Sequence, residues 1–221
     1  MPYTEDRAAW YEGQQDHVLL AYSSGRSFAS VTASIQQTHL PDPVAVIGNV
    51  GTQICRYPGG LPVPGWPKVG SMNWSSDRVR AALADTPGLQ LQPEEFQSPH
   101  KVSFFLHNAG DGLHEVQRRL QDAQLAADIV YSSQRDLDVL PQGANKGSAA
   151  RYLAHALRVA DERVIVCGDT GNDIAMFRVG FRGIIVGNAL PELKALANGH
   201  AYLAERNYAH GVLEGMLHWM A

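Results

Sequence analysis

Short apolar runs alternate with amphipathic helical patterns at both ends of the chain. Near the start, predicted strands at His17–Tyr22 and Val44–Gly48 flank a helix that ends near Thr38. Towards the end, the alternation resumes with predicted strands at 163–167, 183–186 and 201–203 and predicted helices at 146–158, 172–177, from 191 and at 210–219. Strands that alternate with helices in this way predict a parallel sheet.

The middle of the chain lacks this regular alternation. It begins with the proline- and glycine-rich segment 58–70, whose composition excludes a helix or a central strand. Predicted elements follow at 75–84 (helix), 101–107 (strand), 111–126 (helix) and, as a hairpin, 128–131 with 136–140. We therefore predict an α/β protein with a Rossmann-like parallel-sheet core, residues 1–56 and 142–221, and an inserted α+β cap domain, residues 57–141.

Composition narrows the classes of function. The 221 residues fit one large domain or two small ones, and 45% of them are hydrophobic. A net charge of −4 without a run of Lys or Arg predicts no nucleic-acid or membrane partner. We see no signal peptide and no apolar stretch of about 20 residues. The two cysteines, Cys55 and Cys167, are interpreted as unpaired thiols in a cytoplasmic protein.

A glycine-bearing loop with two aspartates follows the predicted strand at 163–167. Asp169 and Asp173 are four residues apart in Gly168–Asp173. Carboxylates at the carboxyl end of a strand suit a hard cation such as Mg²⁺, and open α/β sheets bind their ligands at this edge. The alternative is that Asp173 only caps the next helix.

Two further loops carry groups that bind anions. Ser24 lies in the segment Ser23–Ser27, between a strand and a helix, where hydroxyls and backbone N–H groups form an anion-binding corner. The alternative is that Ser24 or Ser27 caps the helix. Lys146 opens the helix 146–158 and there opposes the helix dipole, so we expect a phosphate or a carboxylate nearby; the alternative is a solvated lysine. Hydroxyl, lysine and metal-binding carboxylates together predict a phosphoryl-transfer site.

The order of these motifs resembles the haloacid-dehalogenase superfamily. Ser24-Gly25-Arg26, Lys146-Gly147 and Gly168-Asp169-x-x-Asn172-Asp173 are similar to its second, third and fourth motifs. The cap falls between the second and third, as in its phosphatases with a large α/β cap. Within that group, the sequence resembles the sucrose-6-phosphate phosphatases most closely, in four stretches: 20–28, 132–147, 166–177 and 183–193.

The resemblance implies a role for each matching residue. Lys146 and Asp169 would be catalytic, and Asp169 would ligate Mg²⁺, while Asp173 would ligate it or orient its waters. The implied phosphate-binding residues are Ser24, Gly25, Lys146 and Asn172. The implied sugar-binding residues of the cap are Lys101, Asp136, Asp138 and Gln142. Since Asp136 and Asp138 alternate with Leu137 and Val139, we expect both carboxylates to face the metal site and both apolar residues to pack into the cap.

The first motif of the superfamily is absent from these residues. It is a strand that ends in Asp-x-Asp-x-Thr and carries the nucleophile and the general acid/base; the sequence contains no such motif. The carboxylates nearest the start lie in polar sequence with no apolar strand before them; they are Glu5, Asp6, Glu12 and Asp16. We expect an internal methionine read as the start of a longer native chain, and no turnover by the 221-residue form.

Two classes of function remain open at this point. The first is a Mg²⁺-dependent sugar-phosphate phosphatase, with sucrose 6-phosphate as the leading substrate and glucosylglycerol or mannosylglycerate phosphate as alternatives. The second is a catalytically dead domain that binds a sugar phosphate or docks on a sugar-phosphate synthase. Retained metal ligands favour the enzyme, because a dead domain does not need them.

Overall fold

The fold is α/β, as predicted. The computed structural model describes residues 10–11, 13–14, 17–38, 40–67, 74–107 and 109–221, so the four N-terminal carboxylates lie outside the described residues. The strands are β1 Ala21–Ser23, β2 Ala45–Gly48, β3 Gln53–Arg56, β4 Leu89–Leu91, β5 Val102–Leu106, β6 Ala127–Ser132, β7 Asp136–Pro141, β8 Ile165–Gly168, β9 Arg182–Ile185 and β10 Ala201–Leu203. The α-helices are α1 Phe28–Thr38, α2 Ser76–Leu83, α3 Ala109–Asp122, α4 Lys146–Ala156, α5 Ile174–Arg178, α6 Pro191–Lys194 and α7 Tyr208–Met220.

The core consists of two three-stranded sheets. In the first, β2 pairs in parallel with β1 and antiparallel with β3; in the second, β9 pairs in parallel with β8 and β10. Within the described part of the chain, β1 and β8 each pair along one edge only. Helix α4 joins the two sheets, since its buried Ala149 and Leu153 pack on β2 and β3 while Ala150 also contacts the apolar cluster behind β8.

Some predicted elements have different bounds. The first strand begins at Ala21 and not at His17, because its parallel pairing with β2 begins there. Helix α3 ends at Asp122, short of 126, because Gln124 adopts a left-handed φ of 53° and the Leu125 N–H bonds back to the Leu120 carbonyl. The short strands β3 and β4 are not among the predicted elements.

The middle of the chain forms a second layer, which we call the cap. Its antiparallel sheet has the order β4-β5-β7-β6, with α2 and α3 packed on one face. Leu137 and Val139 are fully buried on that face, which confirms their predicted packing. The predicted domain boundaries stay predictions. However, the residues just after 57 pack on the first core sheet. Pro62 forms an isolated antiparallel β-bridge with Cys55, and the Val63 side chain packs in the apolar cluster that contains Ile54.

The cap sits directly on the aspartate loop of the core. A Cβ placed on Gly171 would lie 2.7 Å from the carbonyl oxygen of Tyr131 in β6, so only glycine permits this approach. The loop that carries Asp169 therefore faces the end of a cap strand. This contact fixes where the cap can present side chains to the core site.

Candidate active site

Lys146 is buried in an ion pair. Its side chain is 4% exposed, and its Nζ lies 2.6 Å from Asp173 Oδ1 and 2.6 Å from Asn172 Oδ1. The alternative of a solvated lysine is therefore wrong. Asn145 caps helix α4 by accepting the N–H groups of Gly147 and Ser148, which fixes the position from which the lysine extends.

Asp173 has protein partners on both carboxylate oxygens. Oδ1 receives the Lys146 ammonium, and Oδ2 accepts the backbone N–H groups of Asp169 at 3.0 Å and Thr170 at 3.3 Å. The alternative that Asp173 only caps helix α5 is wrong, because its side chain makes no capping hydrogen bond to that helix and instead accepts N–H groups within the preceding turn. In this arrangement Asp173 also orients Lys146. The role of Asp173 as a metal ligand, or in orienting waters of the metal, stays a prediction.

Asp169 suits one end of a cation site. It is half-buried, and its pKa is raised by burial first and then by the negative charge of Asp173, with Lys146 opposing the shift. A bound cation would relieve that unfavourable charge. Mg²⁺ is usually held by one or two carboxylates together with waters and substrate phosphate. Asp169 fits such a site, although no group of three or more His, Cys, Asp or Glu gathers within the described ranges.

The Ser-Gly-Arg loop meets the same site. Ser27 Oγ accepts the N–H of Ser30 and caps α1, so that helix does not need Ser24 as its cap. Ser24 instead accepts the N–H of Arg26 at 3.2 Å. A Cβ on Gly25 would lie 3.7 Å from Asn172 Nδ2, while Asn172 Oδ1 contacts Lys146. Asn172 therefore links all three motifs that the sequence singles out.

The loop Asn49–Gly51, after β2, supports this meeting point and is not among the predicted site residues. All three residues have positive φ, at 49°, 59° and 103°. The Val50 N–H donates to the Ser24 carbonyl, and any Cβ on Gly51 would collide with the backbone of Asn145 and Lys146. The sequence signal is modest: an Asn-x-Gly turn pattern directly after an apolar strand.

The cap residues implied as sugar ligands form a polar network. Lys101 is 4% exposed, and its Nζ contacts Phe96 O at 2.6 Å, Ser103 Oγ at 2.6 Å and Asp138 Oδ1 at 3.4 Å. The Ser103 hydroxyl also donates to Asp138 Oδ1 at 2.5 Å. Three acceptors saturate an ammonium group, so Lys101 here holds Asp138 in place.

The other two implied sugar ligands lie apart from that pair. Asp136 Oδ1 accepts from Gln92 Nε2 at 3.1 Å and from Arg135 Nε at 3.2 Å. Gln142 is exposed in the turn after β7, where its backbone N–H donates to Ala126 O. The structure thus brings Lys101 and Asp138 together and leaves Gln142 on the connection back to the core. The sugar-binding roles stay predictions.

A cavity of about 350 Å³ lies beside the contact between the cap and the aspartate loop. Residues from both layers line it: Ser133, Gln134, Asp169, Thr170, Asn188 and Leu190. Of these six, only Asp169 is among the predicted site residues. Ser133 and Gln134 form the β6–β7 turn, and Asn188 follows β9, so their meeting depends on how cap and core dock.

A family model for sucrose-6F-phosphate phosphohydrolase matches residues 5–220. The chain belongs to this family. Its members are phosphoric monoester hydrolases of the haloacid-dehalogenase superfamily, which use a divalent metal ion, and the recognition made from the motifs is confirmed. No described helix is long and apolar enough to cross a membrane.

Relatives of this sucrose-6F-phosphate phosphohydrolase family member differ in length. A mannosylfructose-phosphate phosphatase from Agrobacterium fabrum is 37% identical over 205 residues, which cover 91% of this chain and 83% of the relative. Sucrose-phosphatase 2 from Nicotiana tabacum is 32% identical over 223 residues, 96% of this chain and 52% of the relative. The chain thus spans about half the length of that plant enzyme.

A solved structure gives the same picture. The sucrose-phosphatase of Synechocystis, in complex with sucrose and phosphate, superimposes with a TM-score of 0.90 at 30% identity. The match covers 98% of this chain and 90% of that one. The predicted haloacid-dehalogenase-like core with an inserted cap is confirmed by this likeness.

Proposed function

We propose that this protein hydrolyses a phosphorylated disaccharide to the free sugar and phosphate. Sucrose 6-phosphate is the leading substrate and mannosylfructose phosphate the second, because relatives covering most of this chain carry those activities in their names. Glucosylglycerol and mannosylglycerate phosphates remain the alternatives outside this pair. The observation that carries the proposal is the buried contact of Lys146 with Asn172 and Asp173 beside the Ser24 loop.

Each residue of this contact has a task in phosphoryl transfer. The Lys146 ammonium, held by Asp173, would neutralise charge on the phosphoryl oxygens from a site that excludes water. The Ser24 hydroxyl and the Gly25 N–H would hold a second oxygen. The Asn172 amide, which lies between Lys146 and the Ser24 loop, would keep the ammonium and this loop at a fixed distance. Asp169 would hold a divalent ion, which we propose is Mg²⁺ and which supplies Lewis-acid neutralisation of the phosphate.

The nucleophile does not come from these motifs. We propose that it belongs to an Asp-x-Asp-x-Thr strand encoded upstream, which in the complete enzyme lies between β1 and β8. The sheet order supports this proposal, because within the described residues β1 and β8 are each the last strand of a three-stranded sheet, and a parallel strand between them would join the two sheets. The carboxyl end of such a strand would reach the loops of Ser24 and Asp169.

The test compares two purified proteins: the 221-residue chain and the chain extended in frame by its upstream coding sequence. With Mg²⁺ and sucrose 6-phosphate, we expect phosphate release on the order of 1–10³ s⁻¹ from the extended protein only. Lys146→Ala in the extended protein is the inactive control. Steady turnover by the short chain would contradict the nucleophile assignment, whereas tight sugar-phosphate binding without turnover by the extended chain would favour the dead binding domain.

Two finer statements belong to the same proposal. We propose a cytoplasmic location, supported by Cys55, a buried cysteine that forms no disulfide. We also propose association with a sugar-phosphate synthase. A glucosylglycerol-phosphate synthase from Pseudomonas anguilliseptica is 29% identical over 219 residues, and the match covers 28% of it. That synthase therefore contains a region similar to almost all of this chain. Co-purification of this protein with a separate sugar-phosphate synthase would test the proposed association.

A further inference from the structure

The β6–β7 turn has an unfavourable backbone for its residues. The Arg135 N–H bonds to the Ser132 carbonyl at 3.2 Å, and both central residues, Ser133 and Gln134, have a φ of 54°. This is the geometry of a type I′ turn, in which Asn-Gly or Gly-Gly is preferred because a Cβ is strained at positive φ. Ser133 and Gln134 therefore occupy positions where this turn type favours Asn or Gly.

Both residues of this turn line the cavity above the aspartate loop. They are exposed, and neither side chain forms a hydrogen bond with any part of the chain that the structure describes. The contact between Tyr131 and Gly171 holds the end of β6 against the core, so the turn overhangs Asp169 and Thr170. The strained turn thus presents free polar groups to the site.

Across the cavity, Asn188 offers a second amide. Its Oδ1 accepts the Tyr208 N–H at 2.5 Å, which fixes the side chain and leaves its NH₂ group for a ligand. Amides and hydroxyls donate and accept hydrogen bonds in fixed directions and carry no charge. They match sugar hydroxyls, whereas the phosphate has Lys146 to bind it.

We propose that Gln134, assisted by Ser133 and Asn188, is a specificity-determining residue that binds hydroxyls of the sugar next to the phosphoester. This inference rests on the proposed function and extends it, because it assigns the sugar end of the substrate to the β6–β7 turn. The turn keeps a strained side chain because the side chain contacts the substrate. Stability and binding should therefore respond in opposite directions when Gln134 becomes glycine.

The experiment uses the 221-residue chain with Mg²⁺ and measures binding of sucrose 6-phosphate and of inorganic phosphate by calorimetry. Gln134→Gly should weaken sucrose 6-phosphate binding at least 10-fold and leave phosphate binding within about twofold, while the melting temperature rises by about 2–4 °C. Gln134→Asn, which keeps an amide and tolerates positive φ, should retain part of the affinity. The matched control is Arg158→Gly, an exposed residue at φ 59° far along the chain, which should change stability only.

Each other outcome overturns the inference in a recognisable way. Equal weakening of both ligands by Gln134→Gly would assign the turn to the phosphate site, and unchanged binding would make it a structural turn. Wild-type protein that binds sucrose 6-phosphate no more tightly than phosphate would remove the sugar site and leave the phosphatase proposal intact. Wild-type protein that binds neither ligand would overturn this inference, whereas the turnover of the extended protein decides the proposed function separately.

Discussion

Asp128 of the cap accepts a hydrogen bond at 2.8 Å from the side-chain amide of Asn145, the residue that caps α4. The same carboxylate oxygen accepts the Gly143 N–H at 3.1 Å. Since Asn145 directly precedes Lys146, one carboxylate joins a cap strand to the start of the helix that presents the phosphate-binding lysine. The connection from cap to core is thereby fixed in direction.

We expect Asp128→Ala to loosen this connection. Loss of two hydrogen bonds should lower the free energy of unfolding by about 1–3 kcal/mol. Phosphate should bind about 3- to 10-fold more weakly, because Lys146 loses a fixed starting point. Calorimetry and urea unfolding would measure both effects. Asp128→Asn keeps an acceptor and should show less of each, and Asp122→Ala, at an exposed ion pair on α3, is the control with little effect.

Lys146→Met should abolish phosphate binding and also destabilise the fold. The substitution leaves Asp173 buried without its cation, and an unpaired buried charge lowers stability by about 3–5 kcal/mol. Adding Asp173→Asn to Lys146→Met should restore most of the stability without restoring binding. If the double variant binds phosphate as the wild type does, Lys146 is only a structural partner of Asp173.

Asp169→Asn should separate stability from metal binding. Burial and the charge of Asp173 disfavour the ionised Asp169 carboxylate, so an amide should leave the metal-free protein as stable or more stable. A bound ion stabilises the wild type by about 2.7 kcal/mol at a hundredfold excess over its Kd. Thermal unfolding with and without Mg²⁺ should therefore show a shift for the wild type and none for Asp169→Asn. An undiminished shift in the variant would place the ion elsewhere.

The two cap aspartates should behave differently. Asp138→Ala leaves the buried Lys101 ammonium without its counter-ion and should lower the free energy of unfolding by about 3–5 kcal/mol. This loss of stability would obscure any effect on sugar binding. Asp136 pairs with the exposed Arg135, so Asp136→Ala should change stability by less than about 1 kcal/mol. In the extended protein it should reduce efficiency on sucrose 6-phosphate at least ~10-fold, with hydrolysis of a small aryl phosphate unchanged. Equal losses on both substrates would indicate damage to the cap.

The sequence predicts what depends on local pattern. The alternation of strands and helices, and the three loops with Ser24, Lys146 and Asp169, follow from hydrophobic runs and from motif order. Strand β3 escapes prediction because Gln53–Arg56 is short, mixed in polarity, and follows three left-handed residues whose conformation is set by packing. The hydrophobic periodicity of the sequence does not predict a turn whose conformation depends on packing.

Other features depend on residues that are distant in sequence. The ion pair of Lys101 with Asp138 spans 37 residues and is largely buried, and the sequence does not reveal it. The roles of Asp128 and Gln134 arise only when the cap docks on the core. Hydrogen bonds of this kind are determined by tertiary structure, so composition and spacing do not reveal them.

Strands β1 and β8, each the last strand of its sheet within the described residues, also affect how this protein behaves at high concentration. Neither strand carries a charged residue, and Leu19, just before β1, is 54% exposed. Natural sheets protect such edges with lysine, proline or a bulge, because an unprotected edge is a template for a strand from another molecule. We therefore expect copies of the 221-residue chain to associate at high concentration.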